Sequence, residues 1–263
     1  MCEKFKTLIL YVFHEINDNV DFFFKHALID DPKYHYIIVI NNPKLEFPYP
    51  IHIANYKVIN RENVGYDFGG WSDALSNVDR TQYERFIFIN STVAGPFYPV
   101  WEIDWIHIFN KMIKGPVKLA GSTIGMFDNK FHVQSMTMVV DQIGLNVGYS
   151  HGIFGGPIPP RSELVAKNEI GFSQIILKSG YNIGCLMKVY QDIDFREFNL
   201  EKIDESTINW HCLGYEVEPY EVLFAKFTQA NVKRLILYQN KLSYNLLPNK
   251  FTCMDGIVST EPV

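Results

Sequence analysis

Short apolar runs alternate with polar turns and amphipathic segments along the first half of the chain. Four runs rich in β-branched and aromatic residues predict strands covered on both faces. They occupy residues 7–13, 36–40, 56–59 and 86–89. Apolar positions at helical spacing predict helices over 19–28, 68–76 and 101–113. This alternation predicts an α/β fold with a doubly wound, mostly parallel sheet, at least through residue 140.

The second half has weaker patterns. Strands are predicted over 119–122, 136–140 and 181–189, an amphipathic helix over 168–179, and a short helix over 219–227. Residues 151–160 (HGIFGGPIPP) hold too much Gly and Pro for regular structure, and their length suits a mobile lid.

Polar residues follow each of the first four predicted strands. They occupy 14–17, 41–42, 63–67 and 90–92. In a doubly wound sheet, ligands bind beyond the carboxyl ends of the strands. The sequence therefore predicts one binding edge built from these four loops.

The third of these loops lies in the segment around which the chain is organised, residues 60–71 (NRENVGYDFGGW). Its glycines permit a sharp turn and close approach to a ligand. Asp67 is the predicted N-cap of the following helix, whose N-terminus suits a diphosphate. The pattern matches neither the P-loop nor the dinucleotide fingerprint, so an ordinary strand-to-helix turn stays open.

Composition narrows the class of protein. The 263 residues are 47% hydrophobic and 15% aromatic, which is enough for a substantial core. The net charge of -5 argues against a dedicated nucleic-acid binder. The four cysteines have no metal-ligand spacing, as expected in a reducing compartment. The apolar run 8–13 is too short for a signal peptide or membrane span, so we expect a soluble cytoplasmic protein.

Four stretches carry a resemblance to the GT-A nucleotide-sugar glycosyltransferases, and within them to the rhamnan-synthesis F family. They are 63–71 (NVGYDFGGW), 86–96 (FIFINSTVAGP), 121–123 (GST) with 132–136 (HVQSM), and 219–226 (PYEVLFAK). The resemblance implies a GT-A, Rossmann-like fold in a single domain, 1–250. Residues 1–115 would form its nucleotide-binding half and 116–250 its acceptor and sugar half, followed by a loosely held tail, 251–263.

The family also implies a nucleoside-diphosphate sugar donor, UDP- or dTDP-linked, a glycan acceptor, and often Mn2+ or Mg2+. By analogy, the donor and its cofactor would contact residues of the four polar loops: His14, Glu15, Asn17, Asn63, Gly65, Asp67, Gly69, Asn90, Ser91 and Thr92. The transferred sugar or the acceptor would contact Gln134, Ser135, Gly155, Gly156 and Lys226. A hydrogen-bonded turn is the alternative role for Gln134 and Ser135.

One departure from the family concerns the metal. Such enzymes usually carry Asp-x-Asp after the fourth strand, where this chain has Asn90-Ser91-Thr92. Neutral oxygens are poorer ligands for hard divalent cations than carboxylates. A weak site built from Asp67, Thr92 and His211 is one expectation, although a lone histidine is more often a surface or core residue. Neutralisation of the diphosphate by helix N-termini with Arg61 or Lys226 is the other.

The expected catalytic residues are Asp67 and Glu169. In many inverting members the base lies at a helix start, eleven residues before Gly-Tyr, and Glu169 has that spacing from Gly180. The helix dipole would keep the carboxylate ionised and able to take a proton. A first-turn acid that only favours helix initiation is the alternative.

Two other functions remain open. The missing Asp-x-Asp favours a non-catalytic nucleotide-sugar or glycan-binding domain. A nucleotidyltransferase shares a similar sheet, but the loop 14–19 lacks the glycine-rich, lysine-bearing sequence that such enzymes need.

Overall fold

Seven strands form one sheet through the middle of the molecule. The computed structural model describes residues 5–98, 104–197 and 217–226, together with Ile236. The strands of the sheet are β1 (Thr7–Phe13), β2 (Tyr34–Ile40), β3 (Tyr56–Asn60), β4 (Arg85–Asn90), β6 (Val117–Gly121), β9 (Thr137–Asp141) and β10 (Asn182–Cys185). Two shorter pairs lie outside it: β5 (Val93–Ala94) with β11 (Ala225–Lys226), and the hairpin β7 (Ile124–Phe127) with β8 (Lys130–Val133).

The sheet order is β10-β6-β9-β4-β1-β2-β3. β1 to β4 are mutually parallel, and β10 is parallel to β6. β9 runs antiparallel to both β4 and β6, which the sequence pattern did not reveal. The predicted α/β class, with a mostly parallel central sheet flanked by helices, is confirmed.

Helices cover both faces of the sheet. They are α1 (Asp18–His26), α2 (Tyr66–Ser76), α3 (Trp105–Met112), α4 (Gln142–Ser150), α5 (Gly171–Lys178) and the single turn α6 (Pro219–Val222). Alternate residues of each strand point to opposite faces. Leu8, Leu10 and Val12 of β1 therefore pack into the core that includes α2, α4 and α5 residues. Ile9, Tyr11 and Phe13 pack with residues of α1 and α3.

The segment between β6 and β9, for which no regular element is predicted above, is structured. It forms the β7–β8 hairpin, whose tip residues Asp128 and Asn129 both have positive φ, 50° and 55°. Short polar residues tolerate this conformation better than most. The hairpin leads to Ser135 at the carboxyl edge of β4 and places His132 close to Glu169.

The predicted helix over 219–227 is wrong beyond its first turn. α6 ends at Val222, and Ala225 and Lys226 pair with Ala94 and Val93 as β11. The backbone N–H of Phe97 also donates to Leu223 O at 2.7 Å. These bonds attach a remote part of the chain beside the end of β4.

The Gly- and Pro-rich segment 151–160 is anchored at its centre. Phe154 is 1% exposed and its ring stacks on Phe88 with centroids 5.1 Å apart. Aromatic burial of this kind is costly to undo. A lid over the whole of 151–160 is therefore incompatible with the core, and only 155–160 remains as a candidate for movement.

Candidate active site

The four polar loops after β1 to β4 meet at one edge of the sheet because these strands are parallel neighbours. Asparagine side chains connect them. The Asn41 amide donates to the Tyr66 carbonyl at 3.0 Å and the Asn42 amide to the His14 carbonyl at 3.3 Å. Asn19 donates to the Ser91 carbonyl at 2.9 Å. The loops therefore form a single bonded rim.

The turn between β3 and α2 depends on Gly65. Its φ of 74° is left-handed, and it is the N-cap of α2, without a side-chain cap. The expectation that Asp67 caps the helix is wrong, because the helix begins at Tyr66 and Asp67 lies inside its first turn. The Asp67 side chain is thereby free to cross to β4.

Gly69 has a packing role. A Cβ there would lie 2.1 Å from the Val64 carbonyl oxygen, so only glycine lets the loop close onto the helix. Gly69 therefore shapes the turn and does not face the cavity described below.

Arg61 holds the same turn together. Its guanidinium donates to Asp73 at 2.5 Å, to Asn41 Oδ1 at 2.7 Å and to the Val64 carbonyl at 2.7 Å. The side chain is only 12% exposed. The alternative in which Arg61 neutralises a diphosphate is disfavoured, because its donors are already committed within the protein.

Asp67 and Asn90 join α2 to the end of β4. The Asn90 Nδ2 donates to Asp67 Oδ2 at 2.7 Å. The other end of the amide, Oδ1, accepts from the backbone N–H and the hydroxyl of Thr92, at 3.1 and 2.5 Å. Because a backbone N–H needs an acceptor, Thr92 fixes which way the amide points. Asn90 therefore presents hydrogens, not an oxygen, to Asp67.

The Asp67 carboxyl is poised to titrate. Burial raises its pKa from 3.8 to about 6, and the nearby Glu169 carboxylate adds to the increase. The hydrogen bond from Asn90 and the charges of His14 and Lys226 act in the opposite direction. A single hydrogen bond thus compensates incompletely for the desolvation of this carboxylate.

Glu169 reaches the same edge from a widened helical turn. Residues Val165–Ile170 form a π-helical segment that leads directly into α5. The predicted helix start near Glu169 is therefore wrong, because the helical chain begins earlier and Glu169 lies near the end of the π turn. π turns of this kind are frequent at functional sites.

Two side chains hold the Glu169 carboxylate. Ser135 Oγ donates to Oε2, and His132 Nε2 lies 3.4 Å from Oε1. Burial would raise the pKa of Glu169, but the hydrogen bonds from His132 and Ser135 and the charges of His132 and Lys226 keep it below its usual value. The carboxylate is ionised as expected, although by these neighbours and not by a helix dipole.

A cavity of about 280 Å3 brings these groups together. Its lining includes seven residues predicted from the sequence: Gly65, Asp67, Asn90, Thr92, Ser135, Glu169 and Lys226. Two carboxylates therefore face one space from α2 and from the π-helical segment.

Two cations also line this cavity. Lys226 reaches it because β11 pairs with β5 directly after Thr92. Arg161 reaches it from a one-turn 3-10 helix, Arg161–Glu163, and its guanidinium carbon lies 5.3 Å from the centroid of the Tyr66 ring. Sequence reasoning missed Arg161, because it follows a proline-rich stretch whose path only the fold determines.

Other predicted residues do not line this cavity, and several have structural partners. His14 and Glu15 are exposed and lie 3.8 Å from each other, and Asn63 is exposed on the turn. Asn17 caps α1 through two backbone N–H groups. The backbone of Ser91 bonds to Val12 and Asn19. Gln134 accepts from the Thr123 hydroxyl at 2.6 Å, which is the hydrogen-bonded turn given above as its alternative role.

Gly155 and Gly156 line a neighbouring cavity of about 200 Å3. Both cavities share Gly65, Phe68 and Leu164 in their lining. On the side of Gly155, the Ile158 side chain packs against Gly65, close enough that an added Cβ would lie 3.1 Å away. One side of the turn is thus covered by the chain itself, and the side facing Asp67 is open.

His211, the remaining predicted metal ligand, lies outside the described residues. Within the described ranges, no three His, Cys, Asp or Glu side chains are grouped as a metal site. Among the helices that the structure describes, none combines the length and hydrophobicity needed to span a bilayer.

The sequence of this region matches a known family. The model of Rhamnan synthesis protein F matches residues 37–133, from β2 to the end of β8. The chain resembles this family. The matched stretch contains the turn at Gly65, the Asp67–Asn90 contact and the β7–β8 hairpin. The match supports a glycosyltransferase, the class that the sequence predicted. No curated protein matches the chain by sequence.

The solved structures that resemble the chain have low sequence identity to it. A mannosyltransferase from Pyrobaculum calidifontis, in complex with GDP-Man and Mn2+, is 9% identical; the match covers 92% of this chain and 74% of that one, with a TM-score of 0.46. A 4-diphosphocytidyl-2C-methyl-D-erythritol synthase from Anaerococcus prevotii is 10% identical, with 79% and 96% covered and a TM-score of 0.37. Scores below 0.5 carry no argument about function.

Proposed function

We propose that this protein is a glycosyltransferase that moves a sugar from a nucleoside-diphosphate sugar, UDP- or dTDP-linked, to a hydroxyl of a glycan acceptor. The observation that supports it best is the cavity where Asp67, Glu169, Arg161 and Lys226 converge at the N-terminus of α2. Paired carboxylates with nearby cations suit a reaction that expels an anionic leaving group and takes a proton from a nucleophile.

The diphosphate binds at the start of α2. The first turn of an eleven-residue helix carries unsatisfied N–H groups and the positive end of the dipole. Arg161 and Lys226 line the same cavity and supply positive charge. As the bond between the sugar carbon and the diphosphate oxygen breaks, these donors stabilise the charge that builds on the leaving group.

Glu169 acts as general base. Its lowered pKa favours the ionised carboxylate, and the side chain lines the same cavity as the start of α2. The acceptor oxygen forms a bond to the anomeric carbon, its proton moves to a Glu169 oxygen, and the nucleoside diphosphate departs. This single displacement inverts the anomeric configuration.

A divalent cation, Mn2+ or Mg2+, would be held beside Asp67, and the donor's phosphates and water would complete its coordination. Asp67 and Thr92 are the residues that would hold it. Asn90 would not be a ligand, because its amide turns hydrogens towards Asp67. Cations of this kind are often bound through one or two carboxylates plus substrate phosphates. When bound, the cation would neutralise charge on the diphosphate.

Segment 155–160 is the candidate lid in this proposal. Cavities of about 200 and 450 Å3 flank its proline residues, so it is loosely packed on both sides. Gly155, with φ of 67°, adjoins the anchored Phe154 and offers a hinge. Closing this segment over the donor would exclude water from the reaction.

A non-catalytic nucleotide-sugar or glycan-binding module is the second candidate. The observation that favours it is the end of β4, where Asn90 stands in place of an acidic residue. A binder and an enzyme differ in whether free nucleoside diphosphate is released.

The test is a screen of UDP-, dTDP- and GDP-sugars, each with and without Mn2+. We expect one nucleotide class to raise the melting temperature, since a ligand at 100 times its Kd stabilises the native state by about 2.7 kcal/mol. We also expect slow release of that nucleoside diphosphate, from hydrolysis or transfer. Binding without release would support the second candidate, and no binding to any donor would refute both.

A further inference from the structure

The base proposed above has a buried neighbour with no assigned role. His132 is 6% exposed, lies on β8 and points its Nε2 at Glu169 Oε1, 3.4 Å away. Ser135 donates to the other carboxylate oxygen. The Glu169 side chain is 19% exposed, so its carboxylate is fixed from two sides and open on the remaining one.

The far side of the imidazole ring meets another acceptor. His132 Nδ1 lies 3.3 Å from the Lys130 carbonyl oxygen, two residues earlier on the same strand. A carboxylate oxygen and a carbonyl oxygen can only accept hydrogen bonds. The contact with Glu169 therefore requires a hydrogen on Nε2, and a second hydrogen on Nδ1 would be accepted by Lys130.

The scaffold around His132 is held rigidly to the helix that follows Glu169. The Val133 N–H donates to Ser173 Oγ at 2.9 Å, and the Gln174 amide donates to the Phe131 carbonyl at 2.8 Å. Ser173 and Gln174 lie on α5, which continues the π-helical segment that carries Glu169. The distance between His132 and Glu169 is thus set by bonds on both sides of the pair.

We propose that His132 is a positioning residue for the base: it donates from Nε2 to Glu169 and, with Ser135, orients the carboxylate so that its unused lone pairs face the acceptor. This inference rests on the proposed function. A base displaced by about 1 Å can lose on the order of 10²-fold in rate, which is the effect that such a clamp prevents.

The charged groups around Glu169 set the expected pH dependence. His132 faces it from β8, Lys226 from β11 and Asp67 from α2. The hydrogen bond and charge of His132 lower the pKa of Glu169, so their removal raises that pKa. The acid limb of the kcat/KM profile follows Asp67, whose pKa is the higher of the two, so the change is read from the Glu169 carboxylate itself by 13C NMR.

The experiment compares wild type with His132→Gln and His132→Leu, and uses His52→Gln, at an exposed position, as the matched control. We expect His132→Leu to lower kcat by roughly ten- to a hundredfold, in the range for residues that orient a reactive group, and to raise the pKa of the Glu169 carboxylate measured by 13C NMR. KM for the donor should change little, and Gln, which can still donate, should restore part of kcat. His52→Gln should match wild type.

An unchanged pKa of Glu169, or a Leu variant as active as wild type, would overturn the inference. If the variants do not fold, 15N NMR of the histidine rings in wild type decides it, because an Nε2 of His132 without a hydrogen contradicts the proposal. Failure of the proposed function itself would look different: wild type would then release no nucleoside diphosphate from any donor.

Discussion

The amide of Asn90 donates to the Asp67 carboxylate across 2.7 Å and thereby joins the end of β4 to the first turn of α2. The two residues are 23 positions apart in the chain, at the ends of different elements. Their contact fixes a half-buried carboxylate at the mouth of the cavity and leaves it with a raised pKa. Four predictions concern this edge of the sheet.

Asp67→Asn should increase stability and abolish most activity. Burial raises the pKa of Asp67 from 3.8 to about 6, so the folded state binds a proton more tightly than the unfolded state does. Wild type therefore loses stability as pH rises from about 4 to 6, and the loss persists above 6, where it amounts to about 2–3 kcal/mol. Asparagine removes that cost but also the carboxylate that would hold the divalent cation at the diphosphate.

The measurement is urea unfolding of both proteins at pH 4 and pH 8, with turnover measured in parallel. The free energies of unfolding should be similar at pH 4 and should differ at pH 8, with the variant more stable. Turnover should fall by roughly 10²-fold or more, as when an electrostatic group is removed from an active site. A variant that turns over like wild type removes Asp67 from the mechanism.

Glu169→Gln should keep donor affinity and lose rate. Glutamine preserves the shape, and its one carbonyl oxygen can still accept from His132 while its amide donates to the Ser135 hydroxyl, but it cannot take a proton. Loss of a general base typically lowers kcat by about 10²–10⁴-fold. Donor affinity from calorimetry and kcat from released nucleoside diphosphate check this. Glu163→Gln is the matched control, since its side chain is 47% exposed and pairs with Lys167. Equal rates in both variants would point to another base.

Gly69→Ala should destabilise the fold. The added Cβ would lie 2.1 Å from the Val64 carbonyl oxygen, and backbone cannot move aside cheaply. Overpacking of this severity typically costs about 1–3 kcal/mol. Gly184→Ala is the control, because its Cβ would meet only ordinary contacts at 3.4 Å and beyond. Thermal unfolding compares them, and equal melting temperatures would contradict the packing role of Gly69.

Two arginines near the turn should separate structure from function. Arg161→Gln removes a cation from the cavity, so donor KM should rise by roughly ten- to a hundredfold, the equivalent of a charged hydrogen bond, with little change in melting temperature. Arg61→Gln breaks three bonds that hold the turn, to Asp73, Asn41 and Val64, so its melting temperature should fall. Thermal unfolding and donor kinetics on both variants decide this. The reverse pattern would mean that Arg61, not Arg161, meets the donor.

The sequence predicted the fold class and half of the cavity because both follow from local patterns. Apolar runs such as Thr7–Phe13 specify strands, and parallel neighbours bring the loops after them to one edge. Gly65, Asp67, Asn90 and Thr92 were found in this way.

Only the tertiary structure decided the rest, since those contacts join residues far apart in the chain. Hydrogen bonds from His132 and Ser135, and not a helix N-terminus, keep Glu169 ionised. Lys226 enters the cavity because β11 pairs with β5, and Arg161 enters it because of the path that the chain takes after its prolines. Neither feature has a periodic signature in the sequence. Periodicity records which face of an element is buried; it carries no information about which distant side chains that face will meet.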